Sequence, residues 1–291
     1  MGLTIHYSLN LAKATPTQAY AVVEQIRQRS LDLPFKEVGK IKIFNGDECD
    51  WDKCDKEDPN RWLLIQSSQS VNDPEIEGTS YTVLPSTIIA FDVEVGEGCE
   101  PANFGLCLYP KTIKVEDSPR WVKERGGRRG WYSGSTEKRT IRTKLKGWSW
   151  GSFCKTQYAS RHGIKNFLRC HVSVITLLEW IQSNIPELKV HIDDEGKYGT
   201  SNYTDDWKVP NPVYTDHPAK HDLEALAKEV GEWNEMIAGH FGRMKDALQK
   251  SGNEMDIISV IQKFPDFEHL EAKGREDETV NNFVEKLNVA N

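Results

Sequence analysis

The chain reads as an α+β protein, with a mixed or antiparallel sheet that opens β-α-β and a long C-terminal helix packed on it. Three observations predict this. Residues 3–11 alternate, with Leu3, Ile5, Tyr7 and Leu9 on one face and Thr4, His6, Ser8 and Asn10 on the other, the period of a half-buried strand. Further strand-like runs are spread along the chain without regular alternation with helices, which disfavours a doubly wound fold. Near the C-terminus Leu223, Leu226, Val230, Trp233, Ile237, Phe241, Met244 and Leu248 recur at helical spacing over about 219–249, with charged residues opposite.

The elements follow in order. Thr15-Pro16-Thr17-Gln18 combines an N-cap, a proline at the first helical position and a capping-box glutamine, so a helix runs from there to about Leu31. Its apolar stripe is Tyr20, Val22, Val23 and Ile26. Residues 40–44 read as a strand and close the β-α-β opening. Residues 45–60 hold seven acids and two lysines; they lack the spacing of a calcium loop and read as a solvated acidic loop. Strands are expected at 62–66, 80–84, 88–95, 104–109 and 112–115. The polar stretch 117–140 reads as a long loop, and 141–158 as a strand followed by a turn through Gly147 and Gly151. Phe167, Cys170, Val174, Leu177, Leu178 and Ile181 mark a helix over 166–184, which Pro186 ends. Residues 188–192 read as a strand leading into Asp193-Asp194-Glu195-Gly196. The expected organisation is one domain over 1–271, a basic insertion at 117–140 and a charged tail at 272–291.

With 291 residues, 38% hydrophobic and 28% charged, the chain can bury a core without staples. No apolar run reaches the roughly 18–20 residues of a membrane span. The N-terminus lacks the basic and apolar regions of a signal peptide, and His6 stands where a myristoylation signal wants Ser or Thr. The expected compartment is the cytoplasm, without a membrane partner. Six cysteines, none in a C-x-x-C pair, are expected to be free thiols, and no metal site is assigned.

Charge is the strongest functional signal. The protein carries a net −7, yet residues 111–146 hold twelve Lys and Arg against four acids, a local +8. Trp121, Trp131, Tyr132, Trp148 and Trp150 are threaded through and after this block. Basic residues with interleaved aromatics suit an anionic, base-containing ligand, a nucleotide or nucleic acid. In that reading Arg125, Arg128, Arg129, Lys138, Arg139 and Arg142 supply charge, while Trp148, Trp150, Lys155 and Tyr158 line a pocket. The run Arg-Gly-Gly-Arg-Arg-Gly at 125–130 is similar to RGG segments of RNA-binding proteins. A solvated loop pairing with the acidic stretch 45–60, within the chain or across a homo-oligomer, is the structural alternative.

A second reading is hydrolytic. Ile5-His6-Tyr7-Ser8-Leu9 and Cys170-His171-Val172-Ser173-Val174 both contain His-x-Ser, which resembles the paired motifs of the 2H phosphoesterase superfamily. The resemblance implies His6 and His171 as acid and base on a phosphodiester, although 171 falls in a helical pattern, where residues two apart do not share a face. Cys154 beside Lys155, with His162 and His171 downstream, is a candidate thiolate nucleophile. Asp193, Asp194 and Glu195 read either as a Mg²⁺-phosphate site or as a solvated turn. A third reading is a protein-interaction subunit whose basic loop docks an acidic partner. No cofactor is named by any motif.

Residues 147–160, Asn166–His171 and Glu229-Val230-Gly231-Glu232-Trp233-Asn234-Glu235-Met236 resemble a family of bacterial proteins with no assigned activity. The likeness extends over most of the chain, implies no functional residues, and suggests that 118–138 is a variable insertion.

Overall fold

The computed structural model describes residues 3–74, 76, 78–117, 120–123, 129–132, 134–201 and 218–251. Its strands are β1 (Thr4–Leu11), β2 (Glu37–Val38), β3 (Lys42–Asn45), β4 (Gln69–Asn72), β5 (Ser80–Val83), β6 (Thr87–Phe91), β7 (Val93–Glu94), β8 (Phe104–Leu108), β9 (Thr112–Asp117), β10 (Arg120–Lys123), β11 (Arg129–Tyr132), β12 (Ser135–Arg142), β13 (Trp148–Lys155) and β14 (Leu188–Asp194). The helices are α1 (Pro16–Leu31), α2 (Arg61–Gln66), α3 (Ile164–Asn184) and α4 (Leu223–Ser251). Six strands form the main sheet in the order β14-β1-β13-β8-β6-β3, and every neighbouring pair is antiparallel. The chain is therefore α+β with a mainly antiparallel sheet. The opening β1-α1-β3 unit places three strands, β13, β8 and β6, between its own two in this sheet.

The capping box at α1 is complete: the Thr15 hydroxyl accepts from the Gln18 N–H, and the Gln18 side chain accepts from the Thr15 N–H. The apolar face of α1 packs on β6 and β8, and α3 packs on β1 and β14 as well as on α1. Both helices thus lie over the face that carries Ile5, Tyr7, Leu9 and Leu11. Fully burying each such aliphatic side chain contributes about 1.5–3 kcal/mol. In α4, Leu226, Val230 and Ala238 are buried, α3 is in contact, and the Asn234 amide donates to Ser160 Oγ at 3.1 Å.

Several local expectations are corrected. Residues 62–66 are helical, in α2, and not a strand: Leu63 and Leu64 turn inward while Trp62 stays exposed. A short apolar run fits either element, and the partners available in three dimensions decide. The stretch 117–140 is not one long loop, because it contains β10 paired with β11, and β12 paired with β9. Gly151 is not at a turn and lies inside β13, opposite Ser8. Gly147 does turn, at φ +68°, and a Cβ there would meet the Leu11 carbonyl oxygen at 2.5 Å. The acidic loop begins with a 3₁₀ turn, Gly46–Cys49.

Candidate functional site

The faces of β14, β1 and β13 that turn away from the helices form the floor of a cleft of about 370 Å³. Cross-strand register places three rows there: Asp193–His6–Phe153, His191–Ser8–Gly151 and Lys189–Asn10–Ser149. The strand period of two makes this assembly local to β1: His6, Ser8 and Asn10 must share a face once Ile5, Tyr7 and Leu9 are buried. His6, Ser8, Asn10, Ser149, Gly151 and His191 all line the cleft, with Gln69 and Leu145 at its sides. His6 and His191 are diagonal neighbours, His6 two residues before Ser8 on β1 and His191 directly across from it on β14, a separation of about 7–8 Å between Cα atoms in sheets of this kind.

Glu195 anchors one end. Its Oε2 accepts from the Thr4 N–H at 2.8 Å, and its Oε1 lies 3.9 Å from His6 Nε2. Asp193, buried opposite His6, has its carboxyl pushed above the ordinary value by burial, an effect offset in part by the His6 charge. Gly151 keeps the floor low. A Cβ added there would find only the Gln69 amide nitrogen, at 3.8 Å. Glycine inside a strand commonly marks close approach by another group. The sheet also splits nearby. β13 pairs with β8 only through Trp148 and Ser149, and beyond that point Gln66 bridges the two, accepting from the Asn103 amide at 2.6 Å and the Ser152 hydroxyl at 3.4 Å.

His171 is placed elsewhere. It sits on α3, fully buried, and does not face His6: Asp194, which it contacts, points to the helix side of β14, whereas Asp193 shares the His6 face. His171 Nδ1 lies 2.8 Å from Thr156 Oγ1. Its Nε2 is 3.0 Å from Asp194 Oδ1 but off the axis of a directed hydrogen bond. Asp194 accepts from the backbone N–H groups of Gly196, Tyr198 and Gly199 at 2.8–2.9 Å. Burial would raise this carboxyl; the His171 charge and contact, with the Gly199 and Gly196 N–H donors, outweigh it and hold the group below its ordinary value. The acidic triplet is therefore neither a solvated turn nor, among the described residues, part of a metal-binding cluster.

The other sequence-derived residues are dispersed. Trp148 and Trp150 are buried in the core, donating their indole N–H groups to Ala14 O and Asn103 O; of the two, Trp150 also borders the cleft. Lys155 lies over the Phe153 ring at 5.5 Å. Tyr158 stacks under Arg161 at 5.1 Å. Lys138 approaches Glu116 at 3.8 Å, Arg139 pairs with Asp73, and Arg142 is exposed. Arg125 and Arg128 lie outside the described residues, and Arg129 is described only as backbone in β11. Cys154 is buried against Cys99 rather than beside a histidine, with 3.7 Å between the sulfurs.

Sequence reasoning overlooked His191, and gave Ser149 and Gly151, inside the pocket stretch 147–158, no role of their own. Their signal was present only as parity: His191 is the polar member between Val190 and Ile192, and nothing local says which strand it will lie against. Comparison with known protein families, curated proteins and solved structures finds no match to this chain.

Proposed function

We propose that the cleft over β14, β1 and β13 binds a phosphate ester, as carried by a nucleotide or nucleic acid, and that His6 and His191 perform acid–base chemistry on it. The observation that carries this reading is the placement of two imidazoles in one cavity, both adjacent to Ser8, one along β1 and one across on β14. One ring takes a proton from an attacking hydroxyl or water as the new P–O bond forms. The other protonates the leaving oxygen as its bond to phosphorus breaks. Ser8, Asn10 and Ser149 supply neutral hydrogen-bonding groups for phosphate oxygens. The cleft volume of about 370 Å³ falls in the range of small-ligand sites. Its Leu145 wall lies between the exposed Lys144 and Lys146, the end of the basic segment, so the +8 stretch leads to the rim.

The test is turnover of bis(p-nitrophenyl) phosphate and of a cyclic nucleotide by the wild type, His6→Asn and His191→Asn. Each substitution is expected to lower the rate by about 10²–10⁴-fold, the usual contribution of a positioned acid or base, with the fold retained. Turnover unchanged in both variants, or absent in the wild type with no ligand-induced shift of the His6 and His191 NMR resonances, would refute the assignment.

A further inference from the structure

Three of the six thiols converge at one place outside the cleft. Cys99 follows β7, Cys154 is near the end of β13, and Cys170 is in the first half of α3. Cys99 Sγ lies 3.7 Å from Cys154 Sγ and 3.9 Å from the Lys155 carbonyl oxygen. Cys154 Sγ in turn donates to the Glu100 carbonyl at 3.2 Å, so both sulfurs are held in place. Two glycines allow this approach. A Cβ at Gly96 would meet Cys170 Sγ at 2.6 Å, and one at Gly98, where φ is +70°, would meet His162 Cδ2 at 2.7 Å. The 96–99 turn is thus seated directly on α3 and on the 3₁₀ turn Gln157–His162. Cys154 and Cys170 are fully buried, and Cys99 is only partly covered, which makes Cys99 the thiol that a reagent in solution reaches first.

We propose that Cys99 and Cys154 form a reversible disulfide, with Cys99 as the entry thiol. The oxidant is a small disulfide of the glutathione type. Cys99, as thiolate, attacks one sulfur of the small disulfide; its S–S bond breaks, and one small thiolate leaves with the electron pair. Cys154, losing its proton, then attacks the Cys99 sulfur of the mixed disulfide. The Cys99–Cys154 bond forms and the second small thiol departs, so two protein thiols are oxidised and one small disulfide is reduced. Closing from 3.7 Å to a bond of about 2.05 Å asks for a movement of under about 2 Å, which the glycine-flanked turn can supply. Contact with Cys154, and burial beside it, push the Cys99 thiol up, so its attack on the small disulfide is slow at neutral pH and quickens as pH rises. The bond would tie the turn after β7 to β13, the strand that brings Ser149 and Gly151 to the cleft.

The experiment treats the full-length protein with oxidised glutathione, alkylates the remaining thiols, and reads intact mass and linked peptides. The expected result is a mass about 2 Da lower, two hydrogens, before alkylation, no alkyl group on Cys99 or Cys154 after it, Cys99 linked to Cys154, and full reversal by dithiothreitol. Cys154→Ser should instead retain a glutathione adduct on Cys99 without closure, and Cys99→Ser should react at neither position. A persistent adduct on Cys99 in the wild type, a link between any other pair, or no reaction at Cys99 would overturn the proposal.

Discussion

Asp194 and His171 form the most deeply buried carboxylate–imidazole contact in the described structure, and their role follows from what surrounds them. Three backbone N–H groups and an imidazole converge on one carboxylate, while Thr156 orients the far side of the ring. Asp194→Asn leaves shape nearly intact but removes the charge. The expected cost is about 3–5 kcal/mol in urea unfolding, the usual penalty for breaking a buried pair. Because the folded carboxyl is held below its ordinary value, its contribution is complete above about pH 4 and is lost as pH falls through the lower folded value. The stability gap between wild type and Asp194→Asn should therefore shrink on acidification below about pH 4. A gap that stayed constant to the acid limit would show that charge is not what Asp194 contributes. His171 was legible as a residue of interest, but its helix and its burial face turned it from the His6 side to this structural contact.

Two elements carry separable predictions. In α1 the capping box is entirely local, which is why its sequence signature could be read directly. Thr15→Ala should cost about 1 kcal/mol, seen as a lower urea midpoint with an unchanged slope. In β13, Gly151 lies on the cleft floor with room above it. Gly151→Val places a residue suited to strands there while filling the cleft. The expected result is a folded protein, by circular dichroism and melting, that has lost phosphate-ester binding by calorimetry. Retained binding would put the ligand elsewhere. Neither Gly151 nor the helical state of residues 61–66 was legible beforehand. The four-residue apolar run Trp62–Ile65 and a lone glycine each fit two local structures, and the partners available in three dimensions decide between them.

At the scale of the whole molecule, charge segregation dominates: a net −7 overall with +8 concentrated in residues 111–146. Polyanions should be repelled by most of the surface and attracted only at this segment. Fluorescence anisotropy with short RNA should show affinity falling with salt, with a logarithmic slope of about −0.7 per phosphate contacted. Arg142→Glu combined with Lys144→Glu should weaken binding and flatten that slope. A slope unaffected by the double reversal would detach the basic segment from ligand capture. Among the described residues, no helix is long and apolar enough to cross a membrane.

Patterns that depend on near neighbours in the chain were readable from sequence alone. The alternation of β1, the capping box of α1, the helical period of α3 and the charge of 111–146 all rest on contacts within a few residues. What tertiary structure decided is pairing over long separations. Ser8 meets His191 and Gly151 because β1 lies between β14 and β13, and a register shift of one residue would have turned every polar side chain of β1 into the core. The same placement sets Asp193 toward His6 and Asp194 toward His171, so adjacent carboxylates face opposite sides of β14. Each strand's own pattern specifies its buried face, but which strands meet is settled by the packing of α1 and α3 over the whole sheet.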